Sequence, residues 1–333
     1  MNIHDQVSVG GSHEGCSDFA GFFSQKNLLE TTGVAFSCRN PANSASESLI
    51  APRRRTGRSA TLLDWSALAV FVVYATRIKG NNRVRKPFVA GNWKMNLDRA
   101  GSVELATSIA QAANADACDI AVCPPFVYLD AVRAALQGSS VGLGSQDAYH
   151  EDSGAFTGET SIRMVADLGC NYAILGHSER RNIFGESNED VNKKLHAVLA
   201  AGLVPIVCLG ELLEQREAGQ TLDVVKSQFS GSFEGVSAEQ MSKCVIAYEP
   251  VWAIGTGKVA TPDQAEEVHA DLRSVISEHF SADIADGIRI QYGGSVKPDN
   301  AKELMAQPNI DGALVGGAAL KADSFLAIVA ATA

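Results

Sequence analysis

The chain has 333 residues, 46% hydrophobic and 20% charged, a globular composition with length for one large domain and an appendage. A formal net charge of -10 excludes a protein held to nucleic acid by a basic surface. The charge is uneven: residues 1–86 carry 11 Lys and Arg against 6 Asp and Glu, a net of +5, which leaves residues 87–333 at -15.

Residues 1–60 are rich in Ser, Gly and Asn and lack periodicity. Arg53, Arg54, Arg55 and Arg58 then precede an apolar run of 14 residues at 62–75, interrupted by Asp64. That run is shorter than the roughly 20 residues of a membrane-spanning helix, and it lies too far along the chain for a secretory signal. The early acids Asp5, Glu14, Asp18, Glu30 and Glu47 count against a transit peptide. Residues 1–86 therefore read first as an extension, disordered or reflecting a misassigned start. An organelle-targeting segment comes second and a membrane anchor last.

From residue 87 the pattern becomes regular. A run rich in Val and other apolar residues at 87–93 is followed by a predicted helix at 103–115, with Val103, Leu105, Ala106, Ile109 and Ala110 on its stripe. Similar runs follow at 119–125, 141–147 and 172–178. The spacing then predicts a helix over 188–201, with Asn188 as the candidate cap and Val191, Leu195, Val198 and Leu199 apolar. Runs at 204–210 and 244–250 come next. Thr261-Pro262 opens another helix, a cap residue followed by proline at the first helical position, with Val268, Leu272, Val275 and Ile276 on one face. After a run at 288–295, Lys297-Pro298 precedes a short helix with Ala301, Leu304 and Met305, and the last run is 312–317. Continuous rather than alternating apolar runs are the mark of parallel strands buried on both faces. Eight of them, alternating with helices, fit a single closed (β/α)8 TIM barrel over 87–333. A doubly wound open sheet is weaker, because no G-x-G-x-x-G follows the first strand.

In such a barrel, reactive groups gather at the C-terminal ends of the strands. Asn92, Lys94, Gln146, His177, Glu179, Glu211, Glu249 and Ser295 fall there, and the opposite ends are expected to carry no comparable set. Glu249-Pro250 ends the sixth run and opens into Val251-Trp252-Ala253-Ile254-Gly255-Thr256-Gly257-Lys258, which suits a general base covered by a mobile lid. Lys94 can hold an anion and stabilise charge on oxygen. His177 can polarise a carbonyl, and the helical turn expected to start at Ser178 and Glu179 keeps the imidazole neutral. Glu179, Arg180, Arg181 and Glu186 suggest an ion-pair network under the site. Gly293-Gly294 and Gly316-Gly317 end consecutive strands, where backbone N–H groups approach a phosphate, with Gly255 as a further donor. Taken singly, each has a bland reading: a solvated Glu, a solvent-facing Lys, a structural His, an ordinary turn. Together they describe a phosphorylated carbonyl substrate: Glu249 takes a proton from carbon, and His177 and Lys94 stabilise the enediolate. That chemistry needs no metal and no organic cofactor. The seven cysteines show no Cys-x-x-Cys pair, so a reducing compartment is expected and a zinc site is not, with Cys123, Cys208 and Cys244 acting as small buried hydrophobes.

These motifs resemble the triosephosphate isomerase family. The segments that carry the likeness are Gly91-Asn92-Trp93-Lys94-Met95-Asn96, Gly154-Ala155-Phe156-Thr157-Gly158-Glu159, Gly176-His177-Ser178-Glu179-Arg180-Arg181, Ala247 to Gly257, Tyr292-Gly293-Gly294-Ser295 and Leu314-Val315-Gly316-Gly317. A Glu base, a neutral His electrophile and loop closure are that family's known pattern. The resemblance implies interconversion of dihydroxyacetone phosphate and D-glyceraldehyde 3-phosphate in glycolysis and gluconeogenesis. Glu249 would be the base, His177 the electrophile, and Lys94 with Asn92 substrate contacts. Gly255, Ser295, Gly316 and Gly317 would be phosphate contacts. It implies a homodimer in which Phe156 and Thr157 enter a pocket beside the partner's Asn92 and Lys94. A cytoplasmic location is expected, with a plastid or mitochondrion as the alternative through residues 1–86. Departures from the family pattern are Asp147, Val259, Ala313 and Ala319, of which Val259 lies in the lid's far hinge. The competing readings are an aldolase-like barrel with a Schiff-base Lys and a non-catalytic anion-binding barrel.

Overall fold

The computed structural model describes residues 85–333, so the readings on residues 1–84, the apolar run at 62–75 included, lie outside the described residues. Eight parallel strands close into one barrel in chain order: β1 (Phe88–Asn92), β2 (Asp119–Cys123), β3 (Gly142–Ser145), β4 (Tyr172–Leu175), β5 (Val204–Leu209), β6 (Val245–Tyr248), β7 (Arg289–Tyr292) and β8 (Gly312–Val315). Closure is made by β8 against β1, with Phe88 opposite Gly312 on one side and Asp119 on the other. Alternation along each strand sends neighbours to opposite faces. Phe88, Ala90, Ile174, Ile206, Cys208 and Ala247 pack together as one cluster, while Val89, Leu175, Val207 and Ile246 belong to a second that includes helix residues such as Leu195 and Leu272. Both faces are dry, which is why the strands read as continuous apolar runs.

Each predicted run overshoots its strand by one to three residues, and the overhang is the loop that carries the polar groups. The helix Arg99–Ala112 starts earlier than its apolar stripe, because the Asp98 side chain accepts the Gly101 N–H and fixes the first turn. Helix Asn188–Ala200 is capped by Ser187, not by Asn188: Ser187 Oγ accepts the Asp190 N–H and Asp190 Oδ2 accepts the Ser187 N–H. Thr261 caps Pro262–His279 as expected. Leu129–Ala135 and Ile162–Asp167 are too short to display a stripe, and Ala322–Ala330 is apolar almost throughout.

One expectation is overturned. The N-terminal end of the barrel does carry charge: Arg85 Nε lies 2.7 Å from Asp311 Oδ1, Arg273 2.7 Å from Asp311 Oδ2, Arg289 2.6 Å from Asp119 Oδ2 and Lys86 2.8 Å from Asp119 Oδ1. Every one of these cations has a carboxylate partner, so the set closes the base of the barrel as ion pairs.

His269, fully buried beside the rings of Tyr248 and Tyr292, has Nδ1 3.2 Å from the Asn309 carbonyl. A carbonyl only accepts, so Nδ1 bears the proton, and burial pushes the ring's pKa down to about 3. The unfolded chain therefore binds a proton below about pH 6.5 that the folded one refuses, and stability falls as pH drops from there. The advantage of the native chain over His269→Gln is expected to shrink by about 2 kcal/mol between pH 7 and pH 5. Urea unfolding of both at the two pH values checks this.

Cys118, Cys123, Cys170, Cys208 and Cys244 are free and buried, and burial raises the pKa of every one of these thiols. Among the described residues no helix is long and apolar enough to cross a membrane.

Candidate active site

β6 delivers Glu249 one position past the strand, where its N–H still donates to the Leu209 carbonyl at 2.7 Å. The residue is only 2% exposed. Its carboxylate is held at both oxygens: Oε1 lies 3.0 Å from His177 Nε2, and Oε2 accepts the Ser178 N–H at 2.8 Å. The neighbouring strand ends are glycines for a reason of space. A Cβ on Gly210 would fall 1.7 Å from the Glu249 carbonyl oxygen, and one on Gly293 would fall 2.8 Å from Glu249 Cγ. Burial by itself would raise the Glu249 pKa, but contact with His177 and the Ser178 N–H outweighs it and holds the carboxyl below its usual range. Glu249 is thus ionised and tethered, and it must leave these bonds to reach a substrate carbon.

His177 ends the loop after β4 and occupies the cap of helix Ser178–Ile183. Its Nδ1 accepts the Glu179 N–H at 3.2 Å, so that nitrogen is unprotonated and the ring proton sits on Nε2, facing Glu249. Burial lowers the basicity of the ring, but the Glu249 charge and its hydrogen bond outweigh burial and hold the His177 pKa above its usual value for as long as the two touch, against the expectation that the helical turn alone keeps the ring neutral. Moving Glu249 away removes the raising influence and leaves a neutral imidazole with an N–H to donate.

Lys94 follows β1 with φ at 51°, a left-handed conformation that costs a non-glycine residue about 1 kcal/mol or more. Side chains hold it there. Asn92 Oδ1 accepts the Lys94 N–H at 3.0 Å, while Gln146 Nε2 donates to the carbonyls of Lys94 at 2.8 Å and of Cys123 at 2.9 Å. The resulting course brings Nζ 2.7 Å from Glu179 Oε1. It also runs past the glycine cradle: a methyl on Gly316 would lie 3.4 Å from Lys94 Cε and 3.9 Å from Nζ. Gly317 opens the short helix Gly317–Leu320, whose first N–H groups have no partner within the helix.

Asn92, Lys94, His177, Glu249, Gly255, Ser295, Gly316 and Gly317 all line one cavity of about 780 Å³. Phe156 and Thr157 do not, and both are exposed on the loop after β3. Over the cavity, the segment after Glu249 is fixed at its near end. Trp252 Nε1 donates to Glu211 Oε1 at 2.9 Å, and the fully buried Glu211 also accepts the Tyr248 hydroxyl at 3.1 Å and pairs with Arg216 at 3.3 Å. At the far end Ala260 is buried, while residues 255–259 between them are exposed, with Gly255 and Gly257 at positive φ. A segment anchored only at its ends can hinge as a unit.

The expected network below the site divides differently from its reading. Glu179 turns to Lys94. Arg180 pairs with Asp147 at 2.8 Å and Glu186 at 3.3 Å, and buried Lys194 joins both acids. Arg181 bonds carbonyls of Gly176 and Cys208 and the side chains of Asn188 and Ser232. Lys194, Gln146 as the clamp on Lys94, and Glu211 as the lid anchor were not identified in these roles from the sequence. Among the described residues no group of three His, Cys, Asp or Glu side chains is placed to hold a metal.

Residues 87–332 match the family model described as triosephosphate isomerase. Curated relatives agree. A triosephosphate isomerase of Rhodopirellula baltica is 54% identical over 248 residues, 74% of this chain and 98% of that protein. One of Carboxydothermus hydrogenoformans is 55% identical over 250 residues, again 74% and 98%. One of Alkaliphilus oremlandii is 51% identical over 246 residues, 74% of this chain and 99% of that protein.

Proposed function

The chain belongs to the triosephosphate isomerase family, and we propose on that premise which of its residues carry the reaction. The enzyme interconverts dihydroxyacetone phosphate and D-glyceraldehyde 3-phosphate, a step of glycolysis. Glu249 takes the proton from the carbon beside the carbonyl and returns it to the adjacent carbon. Negative charge then develops on the enediolate oxygens, where His177 Nε2–H and the Lys94 ammonium donate to it, and His177 gives its proton to the former carbonyl oxygen and regains one from the neighbouring hydroxyl. N–H groups of Gly255, Ser295, Gly316 and Gly317 hold the phosphate, and Asn92 keeps Lys94 in its bent course. Closure of residues 251–260 brings Gly255 to the phosphate and excludes water while the base is at work. The observation that carries this reading is a buried, ionised Glu249 3.0 Å from His177 Nε2, in one cavity with Lys94 and the glycine cradle. Incubation with dihydroxyacetone phosphate in heavy water should place deuterium on carbon. Turnover without any such label would overturn the assignment.

A homodimer is part of the proposal. Met95 (94% exposed), Phe156 (39%), Ile183 (71%) and Phe184 (70%) stand on the segments after β1, β3 and β4, one sector of the barrel beside the site. Apolar side chains exposed together in this way favour a protein partner over water. The loop with Phe156 and Thr157 would then enter the partner's surface near its Asn92 and Lys94. Phe156→Asp is expected to yield a monomer with activity reduced about 10²-fold, since a displaced Lys94 misplaces the substrate. Sedimentation and a coupled assay on the same sample check both parts. The buried free thiols support a reducing, cytoplasmic setting. The family match over residues 87–332, with relatives that align over nearly their full length to about as many residues, supports residues 87–333 as the catalytic domain and 1–86 as a separate extension.

A further inference from the structure

A phosphate ester must approach an acidic protein, since residues 87–333 carry a net charge of -15. Three lysines are among the residues that line the cavity: Lys94, Lys297 and Lys321. Lys94 is committed to Glu179, with 2.7 Å between Nζ and Oε1, so little of its charge is felt outside. Lys297 and Lys321 are exposed and make no ion pair among the described residues. They belong to the two loops that supply the cradle: Lys297 lies just beyond Ser295, ahead of helix Pro298–Met305, and Lys321 just beyond Gly317, ahead of Ala322–Ala330. Asp299 and the tethered Glu249 are the carboxylates that share the lining.

We propose that Lys297 and Lys321 form a cationic rim that captures the phosphate dianion and passes it to the glycine cradle, governing substrate encounter and not the chemical step. The inference rests on the isomerase reading of this same site. Among the residues that line the cavity no other cation is free of a carboxylate partner, and a local field of this kind raises encounter against an unfavourable net charge. Its reach is set by screening, about 8 Å at physiological ionic strength and about 3 Å in 1 M salt.

The test is the double variant Lys297→Gln/Lys321→Gln in the full chain. At low ionic strength KM for dihydroxyacetone phosphate, and the inhibition constant of inorganic phosphate, should rise about threefold to tenfold while kcat stays within about twofold. In about 1 M salt the variant and native values should converge. Lys297→Arg/Lys321→Arg should restore the native KM. Lys302→Gln removes the same charge farther along helix Pro298–Met305 and outside the cavity lining, and it should behave as native. An unchanged KM at low salt, a defect of equal size at both salt levels, or a matching fall in kcat would each overturn the rim. A native chain that does not turn over the substrate would instead overturn the isomerase reading beneath it.

Discussion

Glu249→Ala is expected to lower kcat by about 10³- to 10⁴-fold, the upper part of the roughly 10²- to 10⁴-fold that a positioned general base contributes, and to abolish deuterium incorporation from heavy water. Inorganic phosphate should still compete with substrate, because the glycine cradle belongs to β7, β8 and the lid and not to β6. Glu249→Asp retracts the carboxylate by about 1 Å and should cost about 10²-fold. The native enzyme adds a pH test. The Glu249 carboxyl is held below its usual range by His177 and Ser178, so a carboxyl-resolved NMR titration of the free enzyme should find it still ionised as pH falls through the ordinary carboxylate region, and protonated only beneath it. A coupled assay measures the activities, and an alanine variant with native turnover would remove Glu249 from the mechanism.

Lys194→Met is expected to destabilise the fold by about 3–5 kcal/mol, the cost of breaking a buried ion pair from one side. The Lys194 ammonium lies 2.9 and 3.0 Å from the two oxygens of Asp147 and also binds Glu186, with the side chain only 6% exposed. Without it two buried carboxylates face one another with Arg180 as the remaining cation. Burial already pushes the Asp147 pKa up against the pull of Lys194, so the variant should take up a proton that the native fold does not carry. Thermal unfolding should fall by about 10 °C for a folded unit of this size. Lys194→Met/Asp147→Asn should recover part of the loss, because the second change removes one of the stranded charges. A single variant within about 1 kcal/mol of native in urea unfolding would mean that the network is solvated after all.

The strands were legible because their burial on both faces writes an unbroken apolar run into the sequence. Asn92, Lys94, His177 and Glu249 were legible because a polar residue just past such a run has few other places to be than the rim. What escaped reading depends on pairings across long separations. Arg289 with Asp119 spans 170 residues and Arg85 with Asp311 spans 226, so the charged base of the barrel left no local trace. Glu179 looked like a partner for its arginine neighbours, yet helix geometry turns it 85 residues back to Lys94. Gln146 acts by donating to two backbone carbonyls, and no spacing rule announces a side chain whose partners are main-chain atoms. Ser187 displaced Asn188 as a cap because the reciprocal bond with Asp190 satisfies two amide groups at once.

The five buried cysteine thiols, Cys123 and Cys208 within the barrel and Cys118, Cys170 and Cys244 between strands and helices, make the molecule its own unfolding gauge. A thiol-reactive reagent in solution can label them only during an opening event, so the mass added with time reports how often the wall parts. Peptide mapping separates these five from Cys16 and Cys38. Their order of labelling would rank the strands and helices by local stability without any engineered probe.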